Sequence, residues 1–498
     1  MHNKSPRFPL FLLFCKFSKI RVFFFANICI YVHLCLILQR FINNIVYNII
    51  YMIEQIVLEN FLSFKKGTKF EFKASMEKPR KGYEFIKWYE EINRNKLLKV
   101  QFLFGNNATG KTNFLKFLDF IKDLVCNRRT SKTSKESRIR DTYFKLSDDT
   151  INKPTKAEIT FHMEGIKYVY RLSFSDNTIW EENLMKYERT RKPVEVFNRY
   201  FDKEKGFTIV DFTSTTIDID DQERILDNVI QNTTVISIYD EKNIKSVDLK
   251  NVFYYFLHVN VIYKLDDIHL PSMFANRKDH ENLRNVLLPL LKDLGSNIID
   301  YEVNTSSSKI SEEEAAIFKQ ILGEEIFNQR YPNGERKDVY LRFAHPSETP
   351  EHKTWLNEDE ESYGTRNMIR LIIILYDCSR NNSLIAIDEG ATGIHQQTFG
   401  RIVQFFLGTS HNQFIMSSQQ VAIMDMDGFR RDTVKFFDKE WGTGITSCEK
   451  IDLRKFHKNI SIVNAYLNHS FGCLPEFPRL PEWKDKIEYY YGIMHPDE

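Results

Sequence analysis

The sequence lacks any regular arrangement of cysteine. Its cysteines show neither a CxxC pair nor the Cys/His spacing of a metal site, and their odd number does not suggest a disulfide scaffold. We therefore expect free thiols in a reducing compartment. The seven residues are Cys15, Cys29, Cys35, Cys126, Cys378, Cys448 and Cys473.

A strong net charge is also missing. Lysine and arginine total 69 and aspartate and glutamate 67, so the formal net charge of +2 gives no global attraction to nucleic acid. Residues 127–140 (NRRTSKTSKESRIR) are a local exception, with six basic residues and one acidic residue. This composition is typical of a solvated loop, but contact with nucleic-acid phosphates or with a partner stays open.

Internal repeats and heptad arrays are absent from the sequence as well, which argues against long coiled-coil arms. The 498 residues are 42% apolar and 14% aromatic. That composition supports a substantial core, and the length allows one large domain or two to three ordinary ones.

One apolar run is long. Residues 22–38 are apolar over 17 positions, which is about the shortest length that spans a membrane, and basic residues precede them. No A-x-A-like cleavage site follows, and residues 1–51 are rich in Phe, Ile and Asn. We interpret residues 1–51 as a non-native extension from a misplaced start, with a membrane anchor or a disordered extension as alternatives. A chain that begins at Met52 is expected to be cytoplasmic and to have no membrane contact.

The middle of the chain shows mixed patterns. Apolar residues alternate on both sides of Glu164-Gly165, which predicts a β-hairpin over residues 159–174. Residues 141–260 are predicted to be strand-rich at first, and residues 275–330 to be mainly helical.

A glycine-bounded loop stands between a predicted strand and a predicted helix. The apolar run 97–104 ends at a glycine, and apolar residues then recur at helical spacing over 114–124. The intervening sequence GNNATGKT matches G-x-x-x-x-G-K-[ST], in which glycines and amides cradle phosphates, the lysine reaches the β and γ phosphates, and the hydroxyl ligates Mg²⁺. This predicts ATP and Mg²⁺ as cofactors, bound by Gly105, Asn106, Asn107, Ala108, Thr109, Gly110, Lys111 and Thr112.

A second apolar strand ends in two acids. In SLIAIDE (residues 383–389) the apolar run predicts a buried strand. Asp388 at its end is predicted to join Thr112 in holding Mg²⁺, and Glu389 to orient or deprotonate the attacking water. Two acids that follow a strand more often only mark the end of that strand. The phosphate loop elsewhere in the chain is what favours a catalytic role for this pair.

Upstream of the acids, Ser362, Gly364 and Thr365 precede an apolar helix in the segment ESYGT. An ordinary N-cap is the plainer reading, but their amides would also form a phosphate site at the helix N-terminus. The order of loop, signature and acids resembles ABC-type ATPases. In those proteins the signature completes the ATP site of the opposing subunit, so the resemblance implies a head-to-tail dimer.

The segments after the acids also bear on this resemblance. His395 follows the acids as a histidine does in the family, although a structural role is the commoner one. After the apolar run QFIM the chain reads Ser-Ser-Gln-Gln where the family usually has Thr-Thr-His, so Gln419 replaces the switch histidine. An amide can donate a hydrogen bond to phosphate or orient water, but it does not shuttle a proton near neutral pH. Slow or partner-dependent hydrolysis is the resulting hypothesis.

Several segments together resemble the RecF/SMC-like ATPases, also called AAA15 proteins, which include ATPase components of bacterial abortive-infection and anti-phage systems. The resemblance covers roughly residues 52–480 and is carried by LENFLSF, GNNATGKTN, WEENL, ESYGT, LIAIDEG and AYLNHSFGCLPEFP. It implies an α/β P-loop head of the ABC/SMC type, with an antiparallel β subdomain and an inserted helical region.

The resemblance also implies an organisation and a role. The ATPase head would comprise residues 52–126 and 356–498, with a β-rich and then helical insert at 127–355. ATP-driven formation of a homodimer, or of a higher homo-oligomer, would regulate an effector protein encoded nearby, and nucleic acid is a further possible partner. A DNA-repair ATPase of the RecF type and a transporter ATP-binding subunit are the alternatives, although the LSGGQ signature of transporters is missing.

Overall fold

A computed structural model describes residues 51–77, 82–135, 138–188, 192–212, 216–275, 277–349, 352–381, 383–451, 460–471, 473–474 and 480–496. The interpretation of residues 1–50 lies outside the described residues, as do three of the cysteines and the end of the AYLNHSFGCLPEFP segment. Within the described ranges, no helix has both the length and the apolarity that crossing a bilayer needs.

Strands of the described part make up two large sheets and two small ones. They are β1 (Met52–Glu59), β2 (Thr68–Glu71), β3 (Tyr89–Ile92), β4 (Asn95–Leu98), β5 (Val100–Phe104), β6 (Thr155–Met163), β7 (Ile166–Ser175), β8 (Thr178–Tyr187), β9 (Val194–Asp202), β10 (Phe207–Asp211), β11 (Val259–Ile262), β12 (Asp300–Lys309), β13 (Glu335–Pro346), β14 (Lys353–Asn357), β15 (Leu384–Ile387), β16 (Gln413–Ser417), β17 (Val434–Lys439) and β18 (Thr446–Lys450).

The α-helices of the described part lie between these strands or after the last of them. They are α1 (Lys111–Cys126), α2 (Asp148–Ile151), α3 (Ile219–Leu226), α4 (Ile238–Glu241), α5 (Val247–Leu257), α6 (Leu270–Phe274), α7 (His280–Asp293), α8 (Glu312–Leu322), α9 (Glu324–Arg330), α10 (Tyr363–Ser379), α11 (Gln396–Thr409), α12 (Ile462–Leu467) and α13 (Leu480–Met494).

The first large sheet is antiparallel, with strand order β10-β9-β8-β7-β6-β1-β2. Its centre contains the predicted hairpin, because β6 and β7 pair from Thr155↔Phe174 to Met163↔Ile166 around Glu164-Gly165. Glu164 and Gly165 both have positive φ, of 52° and 77°, as the two central residues of a type I′ turn require. The predicted hairpin is therefore confirmed.

The second large sheet contains the phosphate loop and has the order β11-β15-β16-β5-β17-β18. Its first five strands are parallel, and β18 is antiparallel to β17. The predicted strand at 97–104 is in fact two strands that separate at Lys99. The buried Lys99 ammonium donates to the carbonyl of Leu407 at 2.7 Å, while β4 pairs with β3 and β5 with β16 and β17.

This parallel sheet is the middle layer of the head. Along β15, Leu384 and Ala386 join the core that includes α1 and the antiparallel sheet, whereas Ile385 and Ile387 join the core that includes α10 and α11. The alternation follows from the two-residue period of a strand, and burial on both faces explains the continuous apolar run. The predicted α/β class with an antiparallel β subdomain is thus confirmed.

The region between the two halves of the head differs in part from expectation. Helices α7 and α8 lie where helices were predicted, but residues 300–309 form β12, which pairs with β13 over ten positions. The pairing is long-range, so local periodicity gave no sign of it. Strand β11 also comes from the range 127–355 yet belongs to the parallel sheet. Treating 127–355 as one insert remains a prediction.

One buried side chain joins the two large sheets. The amide of Gln413, at the start of β16, accepts a hydrogen bond from Ile53 N at 2.7 Å. It donates to Ile53 O at 3.1 Å and to Leu98 O at 3.0 Å. Since Gln413 is fully buried, water cannot replace these bonds.

We predict that Gln413→Leu destabilises the protein by about 1–3 kcal/mol, because backbone groups of Ile53 and Leu98 lose their buried partner. The matched control is Gln101→Leu in β5, where within the described structure the equally buried amide makes no hydrogen bond. This control should be neutral or stabilising. Urea unfolding of both variants checks the prediction, and equal losses of stability would contradict it.

Candidate phosphate-binding site

The loop between β5 and α1 has a shape that two glycines permit. Gly105 and Gly110 have φ of 148° and 105°. A Cβ on Gly105 would lie 2.3 Å from the carbonyl oxygen of Phe437, and one on Gly110 would lie 2.5 Å from Thr446 Oγ1. Side chains at either position would therefore disrupt the loop, which explains both glycines of the motif.

Lys111 stands at the first position of α1 and is buried. Its ammonium donates to the carbonyl oxygens of Gly105 at 2.7 Å and Asn106 at 2.8 Å, so it spans the loop. Burial lowers the pKa of Lys111, and the nearby carboxylates of Asp388 and Glu389 oppose that shift. The charge therefore lies against the loop, where it would attract a phosphate chain.

Thr112 and Asp388 meet across the site. Thr112 Oγ1 donates to Asp388 Oδ2 at 2.6 Å, although 276 positions separate the two residues. The other carboxylate oxygen accepts from the hydroxyl of Ser417. A hydroxyl and a carboxylate side by side are hard oxygen donors, and Mg²⁺ typically takes one or two such protein ligands beside phosphates and water. The predicted pair thus fits Mg²⁺.

Glu389 is held in an unusual conformation. Its φ is 49°, in the left-handed region that non-glycine residues seldom adopt. Its amide donates to Ser417 Oγ at 2.8 Å. Its carboxylate accepts from Gln419 Nε2 at 2.7 Å, and the same nitrogen lies 3.2 Å from Asn107 Oδ1. The structure therefore brings the two predicted catalytic side chains together at the phosphate loop.

The signature-like segment caps α10. Ser362 is the N-cap, and its hydroxyl accepts from Thr365 N at 3.1 Å. A Cβ on Gly364 would lie 2.4 Å from the carbonyl of Gly393, so the segment packs against the loop after the acids. Within the described residues, no hydrogen bond joins residues 361–365 to the phosphate loop of the same chain.

The two other segments singled out by sequence have structural contacts. His395 is the N-cap of α11, and its Nδ1 accepts from Gln397 N at 3.4 Å. Gln420 Nε2 donates to the carbonyls of Ala391 at 3.0 Å and Ile394 at 2.7 Å, which fixes the loop after the acids. These contacts fit a structural role for His395 as a helix cap.

Two residues of the site had no predicted role. Ser417 contacts both acids, and its sequence signal is a hydroxyl directly after the apolar run QFIM. Thr446 donates from Oγ1 to the carbonyl of Thr109 at 2.9 Å and packs against Gly110. Nothing local marks Thr446, because it reaches the loop through the hairpin of β17 and β18.

A protein-family model matches more than half of the chain. The sequence model of the family described as "AAA domain, putative AbiEii toxin, Type IV TA system" matches residues 100–425. No curated protein matches in a sequence search.

Solved structures that match this chain include two SMC heads and a RecF protein. The SMC head domain from Thermotoga maritima is 11% identical with a TM-score of 0.38, and the match covers 80% of this chain and 99% of that one. The recombination mediator protein RecF of the RecFOR pathway is 13% identical with a TM-score of 0.32, covering 81% and 99%. The Smc head with an extended coiled coil derived from Pyrococcus furiosus is 11% identical with a TM-score of 0.36, covering 82% and 98%.

We predict that Gln419→His raises multiple-turnover ATP hydrolysis by about 10-fold or more, because an imidazole beside Glu389 can accept and return a proton. The control is Gln420→His. The native Gln420 side chain bonds the loop after the acids, so this substitution should give no increase in the hydrolysis rate. Steady-state release of phosphate measures both. An unchanged rate for Gln419→His would show that the amide does not limit hydrolysis.

Proposed function

Since the chain belongs to the AAA-domain family whose description names the AbiEii toxin, we propose that it binds MgATP at residues 105–112 and hydrolyses it between two head-to-tail copies. The observation that carries this proposal is the 2.6 Å contact between Thr112 and Asp388. It joins a hydroxyl at the start of α1 to a carboxylate at the end of β15, and this pair of oxygen donors would suit Mg²⁺ beside the loop that would hold the phosphates.

The groups of one chain can bind and position the nucleotide. Backbone amides of the loop and the buried Lys111 ammonium would neutralise the β and γ phosphates. Thr112 and Asp388 would hold Mg²⁺, which when bound offsets charge on the β and γ oxygens. Ser417 would keep the Asp388 carboxylate turned toward Thr112, since it occupies the opposite oxygen.

Hydrolysis requires an oriented water. Glu389 would orient that water or accept its proton, and its left-handed backbone aims the side chain from the end of β15 toward Asn107 and Gln419. Gln419 would donate to Glu389 or to the γ phosphate. The amide has no proton to exchange near neutral pH, so turnover is expected to be slow without a partner.

Completion of the site by a second copy explains the signature segment. Ser362 and the first amides of α10 stand at a helix N-terminus, a position that favours phosphate, yet their hydrogen bonds within the described structure stay inside their own helix and loop. Binding to the γ phosphate of an opposing subunit would use these groups. ATP would then favour the dimer, and hydrolysis would release it.

The biological role proposed here is regulation of a partner protein by this ATP-driven dimer, in the cytoplasm and in phage defence. The family description, which names a toxin of a toxin–antitoxin system, supports that role. Within the basic segment, Arg128 pairs with Glu241 at 2.5 Å and Arg129 with Asp123 at 2.8 Å. These arginines bind carboxylates of the same chain, which weakens the alternative of a DNA-repair ATPase.

Mixing two inactive variants tests the proposed head-to-tail arrangement. Lys111→Ala should lose ATP binding, because the phosphates lose their buried cation. Ser362→Asp should keep the N-cap but repel the γ phosphate of the opposing copy. Each variant alone should be inactive, whereas the mixture should hydrolyse ATP, since one mixed site combines an intact phosphate loop with an intact signature.

The matched control is a mixture of Lys111→Ala with Glu389→Gln. Glu389 acts on the nucleotide of its own chain, so no mixed site is complete and activity should stay absent. Phosphate release against the mixing ratio is the measurement. Inactivity of the first mixture, or restored activity in the second, would contradict the arrangement.

A further inference from the structure

A cleft of about 820 Å³ opens beside the phosphate loop. Asn106, Asn107 and Thr109 of the loop line one part of it. Its remaining surface includes the apolar side chains of Leu146 and Trp441, from two other segments of the chain. The cleft is therefore continuous with the phosphate site but has a different, partly apolar character.

Trp441 is the most conspicuous of these side chains, because it is 98% exposed. Its turn is nevertheless well defined. Glu440 N donates to Ile445 O at 3.0 Å, and Thr443 Oγ1 donates to Glu440 Oε2 at 2.7 Å. A hydrogen-bonded turn thus presents a large aromatic face at the cleft, where a flat ligand group can stack on it.

Leu146 is held against the same turn. Gly444 has a φ of 71°, and a Cβ there would lie 2.4 Å from Leu146 Cδ1. The missing side chain of Gly444 therefore allows the leucine to approach. Leu146 is itself 70% exposed, so an aromatic and an aliphatic side chain both face the cleft at the edge of the phosphate loop.

The order of the parallel strands places the acids and Trp441 on opposite sides of the phosphate loop. The acids and Ser417 lie at the ends of β15 and β16, on one side of β5. Trp441 follows β17, which pairs with β5 on the opposite side. A nucleotide whose γ phosphate lies near Asp388 would have its remaining part on the β17 side, where the cleft opens.

We propose that Trp441 stacks on the base of the bound nucleoside triphosphate, with Leu146 as a second apolar contact. This inference rests on the proposed function, because the phosphate loop must hold the phosphates. Stacking is open to any base, since every base has a π face. Trp441 thus binds the base, whereas the residues of the loop motif bind the phosphates.

Two ligands separate this inference from the proposed function. Magnesium tripolyphosphate has the phosphates without a base, whereas MgATP has both. We predict that Trp441→Ala raises the Kd for MgATP about 5- to 160-fold, the range of a lost stacking contact, and leaves the Kd for tripolyphosphate unchanged. Trp483→Ala, which removes a 42% exposed tryptophan on α13, is the matched control and should change neither.

Calorimetry on the full chain measures these constants, and tryptophan fluorescence gives a second readout. MgATP should quench the wild-type emission, and Trp441→Phe should keep ATP affinity while losing that quench. An unchanged MgATP affinity in Trp441→Ala, or a quench that persists in Trp441→Phe, would overturn the role of Trp441 alone. Failure of the wild type to bind either ligand would instead overturn the proposed function, and this inference with it.

Discussion

Parallel pairing of β15, β16 and β5 is the constraint on which the site depends. The pairs Ile387↔Met416 and Ser417↔Leu103 bring the carboxyl ends of these strands to one edge of the sheet. The phosphate loop, the two acids and Gln419 each follow one of these ends. Residues that are hundreds of positions apart therefore meet within hydrogen-bond distance, and ligands in open α/β sheets bind at such an edge.

The sequence predicts the parts of this site whose chemistry is local. The loop requires close-set glycines, a lysine and a hydroxyl at fixed spacing, so Gly105 to Thr112 can be recognised without knowing what packs around them. Asp388 and Glu389 are recognisable because a strand buried on both faces is an uninterrupted apolar run, and acids directly after it lie at the sheet edge. The flanking strand and helix follow from the same patterns.

What the sequence does not reveal depends on contacts between distant segments. Ser417 supports both acids only because β16 is the neighbour of β15. Strand β12 pairs with β13 across two intervening helices. The helical patterns on either side of it led to the prediction that this region is mainly helical. The division of residues 97–104 into two strands likewise depends on pairing with other segments, because β4 pairs with β3 whereas β5 pairs with β16 and β17. Trp441 has no motif at all, and only the fold places it beside the loop.

The most direct test of the account is a double-mutant cycle between Thr112→Ala and Asp388→Asn, with ATP affinity measured in excess Mg²⁺ and in EDTA. If both side chains hold one ion, each single substitution should weaken MgATP binding. The double variant should then bind MgATP as tightly as the weaker-binding single variant, within about 0.5 kcal/mol. In EDTA the changes should have little effect. Fully additive losses in Mg²⁺, or equal losses with and without the metal, would contradict a shared ion at this site.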